Sequence, residues 1–344
     1  MAGLVAAAEA RRLGAAPTVF EKLARPGGSM RLSSGVIWRH RDFARFREEC
    51  PDGDPELQRL LFDRLDADVR WLESLGAPVV ERGTGNPLTT GVRFDPEGLT
   101  AVLTPASLDL RLEAGLREPP AGVPLILATG GFAGDRGLVR RHVTAEADHL
   151  LLRAAPGSTG DGLRIGLAAG AGTGKGLDQV YARAMPAPPA RIAPADFVRL
   201  SQLYARHAEV ENERGERHET ATWSEVDTAQ WMTRQPRARA WFRVPVAALG
   251  KRVRDRSVGE MVEAAADAGA PVRRDAEHVT VETVAGITTT LGGLAIDTAA
   301  RAAPGVYACG ADAGGLATGG YASGLAAALV FGRIAARAAL GESP

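Results

Sequence analysis

Cysteine is scarce in this sequence, with only Cys50 and Cys309 among 344 residues. Two cysteines cannot build a disulfide framework or a tetrahedral thiolate zinc site, which argues against a small secreted scaffold and fits a reducing cytosol. The six histidines form no H-x-x-x-H pair, and no G-x-S-x-G segment is present. We therefore predict no metal site and no serine-hydrolase elbow.

Net charge is also lacking, because 41 Lys and Arg balance 41 Asp and Glu. Bulk attraction to nucleic acid or to an anionic membrane has no basis in such a chain. No uninterrupted run of about 18 apolar residues exists, so we expect no membrane span. The apolar opening has no preceding positive charge and is soon followed by Glu9 and Arg11. We therefore expect no signal peptide, and a cytoplasmic protein.

Glycine, by contrast, is abundant, with 41 residues and no collagen-like period. The length predicts roughly two domains of about 150 residues each. Glycine clusters lie at both ends of the chain, whereas Pro, Arg, Glu and Trp are common between about 176 and 256. This distribution predicts a discontinuous domain, 1–175 with 285–344, and an inserted domain, 176–284.

Hydrophobic periodicity predicts alternating helices and strands, as in an α/β fold. Residues 3–12 and 325–340 have helical spacing, and 42–75 carries a long buried stripe typical of a helix. The short runs 18–21, 124–129 and 306–309 read as strands, the last two buried. A further helix follows 158–162.

The first helix and strand resemble part of a dinucleotide-binding unit. Gly3 fits only the third glycine of the fingerprint, and Glu21 stands 18 residues later, where an acid binds ribose hydroxyls. The first strand and the first two glycines are missing. The true start therefore lies upstream of Met1, or the chain is a trimmed form with reduced affinity for its cofactor; the residues leave both readings open.

The C-terminal stretch adds two features that suit a ligand. Asp312 follows the buried strand 306–309, and Gly324 and Leu325 open a helix with free backbone N–H groups. Such groups suit an oxygen that carries negative charge. By contrast, Gly170–Lys175 is not a phosphate loop, because Gly176 stands where Ser or Thr is needed.

Together these segments resemble the fumarate reductase and succinate dehydrogenase flavoprotein superfamily, in the branch of tricarballylate dehydrogenase-like and 3-ketosteroid dehydrogenase-like enzymes. The matching segments occur in family order and lie at 3–8, 20–22, 27–30, 33–35, 128–132, 158–162 and 291–333. The resemblance implies a discontinuous Rossmann-like FAD-binding domain with an inserted α+β capping domain. It also implies an FAD-dependent oxidoreductase.

The same resemblance implies the residues that contact FAD. Glu21 would hold the adenosine ribose, Asp312 the ribitol hydroxyls, and the backbone at Gly324 and Leu325 the pyrimidine edge of the flavin. The other implied contacts are Gly3, Lys22, Gly28, Ser29, Met30, Ser34, Gly35, Gly130, Gly131 and Asp161.

The implied reaction is hydride transfer between flavin N5 and an activated C–C or C=C bond of a small organic acid or ketone, with an unknown electron donor or acceptor. Tyr321 resembles a tyrosine that polarises the substrate carbonyl in ketosteroid-type members; the alternative is a packed tyrosine whose hydroxyl meets backbone. Thr289 stands where fumarate reductases carry histidine, and Ala221 where they carry a carboxylate. Arg217 and Arg243 are weaker catalytic candidates, because most arginines in so charged a segment are solvated or paired on the surface.

Two other functions are compatible with these departures. One is a degenerate homologue that has lost tight FAD binding and acts as a non-redox binding or assembly protein. The other is a nicotinamide-only dehydrogenase, which fits less well because the glycine-rich C-terminal segments would then lack a ligand.

Overall fold

The computed structural model describes residues 1–342, which divide into two compact units. Unit 1 comprises Met1–Asp135, Ala154–Gln179 and the described chain from Thr289 onward. Unit 2 comprises Arg136–Arg153 and Val180–Thr288. Each unit is therefore assembled from separate stretches of the sequence.

Unit 1 contains six helices and eight strands within the described residues. The helices are α1 (Ala2–Arg12), α2 (Phe43–Glu49), α3 (Pro55–Ser74), α4 (Pro96–Leu103), α6 (Asp161–Ala168) and α9 (Gly324–Ala339). The strands are β1 (Thr18–Phe20), β2 (Val36–His40), β3 (Val79–Arg82), β4 (Thr89–Phe94), β5 (Asp109–Arg111), β6 (Leu125–Leu127), β16 (Arg301–Ala303) and β17 (Val306–Ala308).

Three small sheets make up the β-structure of unit 1. β6 pairs in parallel with β17, and β16 adds antiparallel to β17. β1 pairs in parallel with β5 in a separate two-stranded sheet, and β2, β4 and β3 form the third. Helix α1 packs against both β1 and β6. With the parallel pairs and covering helices, this confirms the predicted α/β class.

Helices α1 and α9 form the main helix pair of unit 1. Gly332 permits their close approach, because a Cβ there would lie 2.8 Å from the Ala2 carbonyl oxygen. The alanines along both helices also keep the contact short. Both helices were predicted correctly to within one residue at each end.

The helical pattern predicted over 42–75 is divided between two helices in the structure. The side chain of Asp54 accepts hydrogen bonds from the N–H groups of Glu56 and Leu57, and Pro55 occupies the first helical turn. This cap starts a new helix, because Asp at the N-cap and Pro just after it are both favoured there. The buried stripe then follows α3 as predicted.

Unit 2 is built around one seven-stranded sheet. Its strands are β7 (Leu151–Leu152), β8 (Val180–Pro186), β9 (Glu209–Glu211), β10 (Arg217–His218), β11 (Arg239–Pro245), β14 (Val272–Arg274) and β15 (His278–Thr290), the last two residues of β15 lying in unit 1. A hairpin of β12 (Arg252–Val253) and β13 (Arg256–Ser257) and the helices α5 (Arg136–His142), α7 (Val226–Met232) and α8 (Val258–Asp267) complete it.

Residues 136–153 differ from the sequence prediction, which assigned them to the first domain. They belong to unit 2 because β7 pairs in parallel with β15, joining Leu151 to Gly286 and Leu152 to Ile287. A two-residue strand carries no periodicity, so this pairing has no signal in the sequence.

None of the helices between residues 1 and 342 combines the length and apolar character that a membrane crossing requires.

Candidate functional site

The carboxyl ends of β6 and β17 lie side by side and lead into two turns of unit 1. Asp312 follows β17, and its buried carboxylate accepts hydrogen bonds from the Thr129 N–H, from the Thr129 hydroxyl at 3.0 Å and from the Gly131 N–H at 3.2 Å. Burial raises the pKa of Asp312, and these donors oppose the rise. Asp312 therefore holds the turn after β6 in place.

That turn contains Gly130 and Gly131, with φ of 92° and 73°. A Cβ on Gly131 would lie 2.4 Å from Thr290 Oγ1, and one on Gly162 would lie 2.7 Å from the Asp312 carboxylate. Glycine is required at both positions, by the left-handed backbone at Gly131 and by close packing at Gly162. The start of α6 thereby docks directly on Asp312, with the Gly162 N–H donating to the Thr129 hydroxyl at 3.0 Å.

The predicted contacts Lys22 and Asp161 meet each other near the end of β1. Lys22 Nζ lies 2.6 Å from Asp161 Oδ2 and 2.6 Å from Thr159 Oγ1. Glu21 accepts the Leu23 N–H at 2.9 Å. Glu21 thus follows β1 directly, as predicted, and its carboxylate can accept hydrogen bonds from further donors.

The segment 28–35 begins with a 3₁₀ helix, Gly28–Leu32. Ser29 Oγ accepts the Ala155 N–H at 2.9 Å, which ties this segment to another part of unit 1. Met30 is buried, and the carbonyl of Ser34 accepts from Arg93 at 3.2 Å. Gly35 has a φ of 72°, and a Cβ there would lie 2.0 Å from the Phe94 carbonyl oxygen.

Helix α9 begins beside Tyr321. Ser323 caps it by accepting the Ala326 N–H, and the Gly324 N–H donates to the Tyr321 hydroxyl at 3.3 Å. The N–H of Leu325 has no acceptor among residues 1–342. The Tyr321 ring meets Trp38 edge-on at 6.0 Å.

All the predicted cofactor contacts lie in unit 1, including Gly3, whose Cβ would lie 3.2 Å from Ala128 after β6. The catalytic candidates divide between the units. Thr289 and Tyr321 lie in unit 1, and the Thr289 hydroxyl donates to the Thr290 carbonyl at 3.2 Å.

Arg217 and Arg243 lie together in unit 2 around one carboxylate. Glu209 is 3.6 Å from Arg217 and 3.3 Å from Arg243, which also contacts His278 at 3.1 Å. Both arginine side chains are exposed, so they have the geometry of surface ion pairs.

Sequence reasoning missed Tyr181 and Arg183, which lie two residues apart on β8. Arg183 is buried and donates to the Tyr181 hydroxyl at 2.7 Å. The available signal was a charged residue at i+2 from a tyrosine within the apolar run Val180–Pro186, since alternate residues share a strand face.

The chain matches the FAD binding domain family over residues 120–325. No curated protein matches it.

Three solved structures illustrate the shared fold. The open conformation of a flavocytochrome c3 fumarate reductase has 20% identity and a TM-score of 0.72, covering 99% of this chain and 76% of its own. The 3-ketosteroid-Δ4-(5α)-dehydrogenase from Rhodococcus jostii RHA1 has 18% identity and a TM-score of 0.72, covering 98% and 94%. The 3-ketosteroid Δ1-dehydrogenase from Sterolibacterium denitrificans has 14% identity and a TM-score of 0.71, covering 98% and 97%.

The residues of unit 1 suit a flavin dinucleotide. A Cβ added at Gly28 or at Gly315 would meet no atom within 4 Å, so a ligand has room to approach the backbone at both positions. The unpaired Leu325 N–H at the start of α9 offers a donor with the positive end of the helix dipole behind it. The chain belongs to the FAD binding domain family, its cofactor is FAD, and it has the fold of the fumarate reductase and 3-ketosteroid dehydrogenase flavoproteins.

Proposed function

We propose that this flavoprotein transfers a hydride between FAD and an activated C–C or C=C bond of a small organic acid or ketone. We place it in the cytoplasm, where it exchanges electrons with a donor or acceptor of unknown identity. The observation that carries the proposal is the start of α9, where the unpaired Leu325 N–H and the Tyr321 hydroxyl lie within one turn of each other.

When bound, FAD supplies the hydride acceptor or donor, and the residues of unit 1 bind and orient it. The Leu325 N–H and the dipole of α9 would stabilise negative charge on a carbonyl oxygen of the flavin ring. Glu21 would accept hydrogen bonds from ribose hydroxyls, and the bare backbone at Gly28 would let the pyrophosphate approach. We expect Asp312 to act mainly by positioning the Thr129–Gly131 turn, because its carboxylate already accepts several hydrogen bonds there.

Tyr321 is assigned to the substrate carbonyl. The Gly324 N–H donates to the Tyr321 hydroxyl and orients it, and in the proposed role this hydroxyl donates its own hydrogen to a substrate oxygen. The edge contact with Trp38 further fixes the ring. Such a preorganised donor lowers the energy of an enolate-like transition state.

The test is substrate-dependent bleaching of bound flavin, across a panel of enones and enoates and their saturated counterparts. We expect Tyr321→Phe to lower kcat roughly 10²-fold, the usual effect of removing one such donor, while flavin absorbance stays unchanged. Tyr307→Phe is the matched control, because Tyr307 is buried in the same unit and its hydroxyl donates to the Ala338 carbonyl at 3.1 Å.

Two results would contradict the proposal. A protein that takes up no added FAD would instead fit the degenerate homologue that has lost tight FAD binding and acts as a non-redox binding or assembly protein. A protein that binds FAD, yet whose flavin is bleached by no member of the panel, would contradict the proposed hydride transfer.

A further inference from the structure

Tyr321 lies at the end of a loop in unit 1, residues 315–321, which contains no helix or strand. The ladders of hydrogen bonds that fix helices and strands are absent from such a segment, so other contacts must hold it. The position of the Tyr321 hydroxyl therefore depends on the surface against which the loop lies.

The turn between α2 and α3 holds this loop at two points of its backbone. The Asp54 N–H donates to the Gly315 carbonyl at 2.7 Å, and the Asp52 N–H donates to the Thr318 carbonyl at 3.2 Å. The path of the loop therefore follows the conformation of the turn.

The side chain of Gln58, on α3, joins the turn and the loop from inside. It is fully buried, and its Nε2 donates to the Leu316 carbonyl at 2.9 Å and to the Cys50 carbonyl at 3.0 Å. A Cβ on Gly53 would lie 2.1 Å from this nitrogen, so the glycine leaves the space that the amide occupies. Both hydrogens of the amide are thus used, one on the loop and one on the turn.

Arg47, on α2, determines the orientation of this amide. Its Nη1 donates to Gln58 Oε1 at 2.5 Å and to the Gly53 carbonyl at 2.7 Å, and its Nη2 donates to the Pro51 carbonyl at 3.0 Å. A charged donor beside Oε1 keeps the amide oxygen on that side. The NH₂ group therefore faces the two carbonyls that it binds.

We propose that Gln58, oriented by Arg47, is a positioning residue for the reaction: it holds the loop 315–321 so that the Tyr321 hydroxyl stays in place. The inference rests on the proposed function in taking Tyr321 as the donor to the substrate. Small displacements of such a donor reduce turnover strongly, because the reacting groups must meet in a narrow range of geometries.

Helix α9, which follows the loop, is held by different contacts. It packs along α1, and Arg333 on α9 lies 3.1 Å from Glu9 on α1. Loosening the loop should therefore displace Tyr321 while the Leu325 N–H keeps its place. We expect turnover to fall and FAD to remain bound.

The test is Gln58→Glu, which keeps the size of the side chain and an oxygen toward Arg47 but removes both N–H donors. Deuterium exchange of the 315–321 amides, measured without and with FAD, should become roughly 10-fold faster. With a substrate that bleaches the flavin, kcat should fall roughly 10- to 100-fold, while the absorbance of bound flavin stays unchanged.

A double variant separates positioning from a general loss of structure. In the Tyr321→Phe background, Gln58→Glu should lower kcat by less than about 2-fold, because no tyrosine hydroxyl remains to be positioned. An equal loss of kcat in both backgrounds would overturn the inference.

The matched control is Gln179→Glu, the same chemical change at a residue bonded to the same loop. Gln179 accepts the Gly319 N–H at 2.7 Å through Oε1, an acceptor that glutamate retains. Loop exchange and kcat should both match the unchanged protein.

Arg47→Met provides a second variant in case the buried change at Gln58 prevents folding, since Arg47 is half-buried. It should change loop exchange and kcat in the same direction, by smaller factors. Unchanged loop exchange in every folded variant of Gln58 and Arg47 would overturn the inference. Faster exchange in a protein whose flavin no compound bleaches, even without substitution, would support the hold on the loop and refute the redox function.

Discussion

At the scale of the residue, His40 shows how burial sets a charge state. It is 5% exposed, its ring lies 5.4 Å from Trp38 and 5.5 Å from Phe46, and neither ring nitrogen has a hydrogen-bond partner among the described residues. Burial, assisted by the charge of Arg45, lowers the pKa of His40 to about 4. The imidazole is therefore neutral in the folded protein at pH 7.

The low pKa of His40 predicts that the free energy of unfolding falls in mild acid. Between pH 6.5 and 4 the unfolded chain protonates His40 and the folded chain does not, so the free energy of unfolding falls as pH falls, by up to about 3 kcal/mol. Below pH 4 both states are protonated and this contribution stays constant. Urea unfolding of His40→Phe at pH 7, 5.5 and 4.5 should show a shallower pH dependence than the unchanged protein.

The control is His149→Phe, since His149 is exposed. It should keep the original pH dependence. An identical slope in His40→Phe and the unchanged protein would show that His40 does not titrate abnormally.

At the scale of the element, a buried ion cluster joins α1, α3 and α9. Arg333 on α9 lies 3.1 Å from Glu9 on α1 and contacts Asp68 on α3, and all three residues are buried. Burial would raise the pKa of Glu9, but hydrogen bonds from Arg12, Arg333 and Arg337 lower it to about 2. Glu9 thus remains charged, and its contribution to stability is lost only as pH falls from about 4.5 toward 2.

Replacing Arg333, the central cation of this cluster, should lower the free energy of unfolding. Arg333→Met would leave Glu9 and Asp68 buried without it, and we expect a loss of about 3–5 kcal/mol in the free energy of unfolding. Arg12→Met removes a partner of the same Glu9 carboxylate that is 45% exposed, and should cost less than about 1 kcal/mol. Urea denaturation of the two variants measures the difference, and equal losses would refute the role given to the buried cluster.

At the scale of the whole molecule, cofactor binding should raise the free energy of unfolding. Because FAD binds the folded chain, a free concentration 100 times its dissociation constant should add about 2.7 kcal/mol to the free energy of unfolding. We expect a rise in Tm with FAD in a thermal unfolding scan, and none with NAD at the same concentration. A rise with NAD but not FAD would instead favour the nicotinamide-only alternative.

Local patterns were sufficient for much of this molecule. The helical spacing at both ends predicts α1 and α9, and the short apolar runs predict β6 and β17. These predictions work because the spacing of apolar residues along the chain reflects which positions are buried. The glycine clusters, in family order, predicted the FAD fold. The break between α2 and α3 is marked in the sequence by Asp54 and Pro55, and the buried stripe lies within α3.

Other features depend on residues that are distant in the chain. The pairing of β7 with β15 joins segments about 135 residues apart, and the contact of Arg333 with Glu9 joins residues 324 apart; no local pattern encodes such contacts. Likewise, Glu209 lies beside both Arg217 and Arg243 because β9 pairs with β10 and with β11, an arrangement that no local pattern encodes.

The sequence by itself determined the α/β class through local periodicity, and the family and the cofactor through the resemblance of its ordered segments to known flavoproteins. Tertiary structure decided which charges are paired. Whether an arginine lies beside a carboxylate depends on the distances and the burial that the folded chain produces. Neither is a property of neighbouring residues in the sequence.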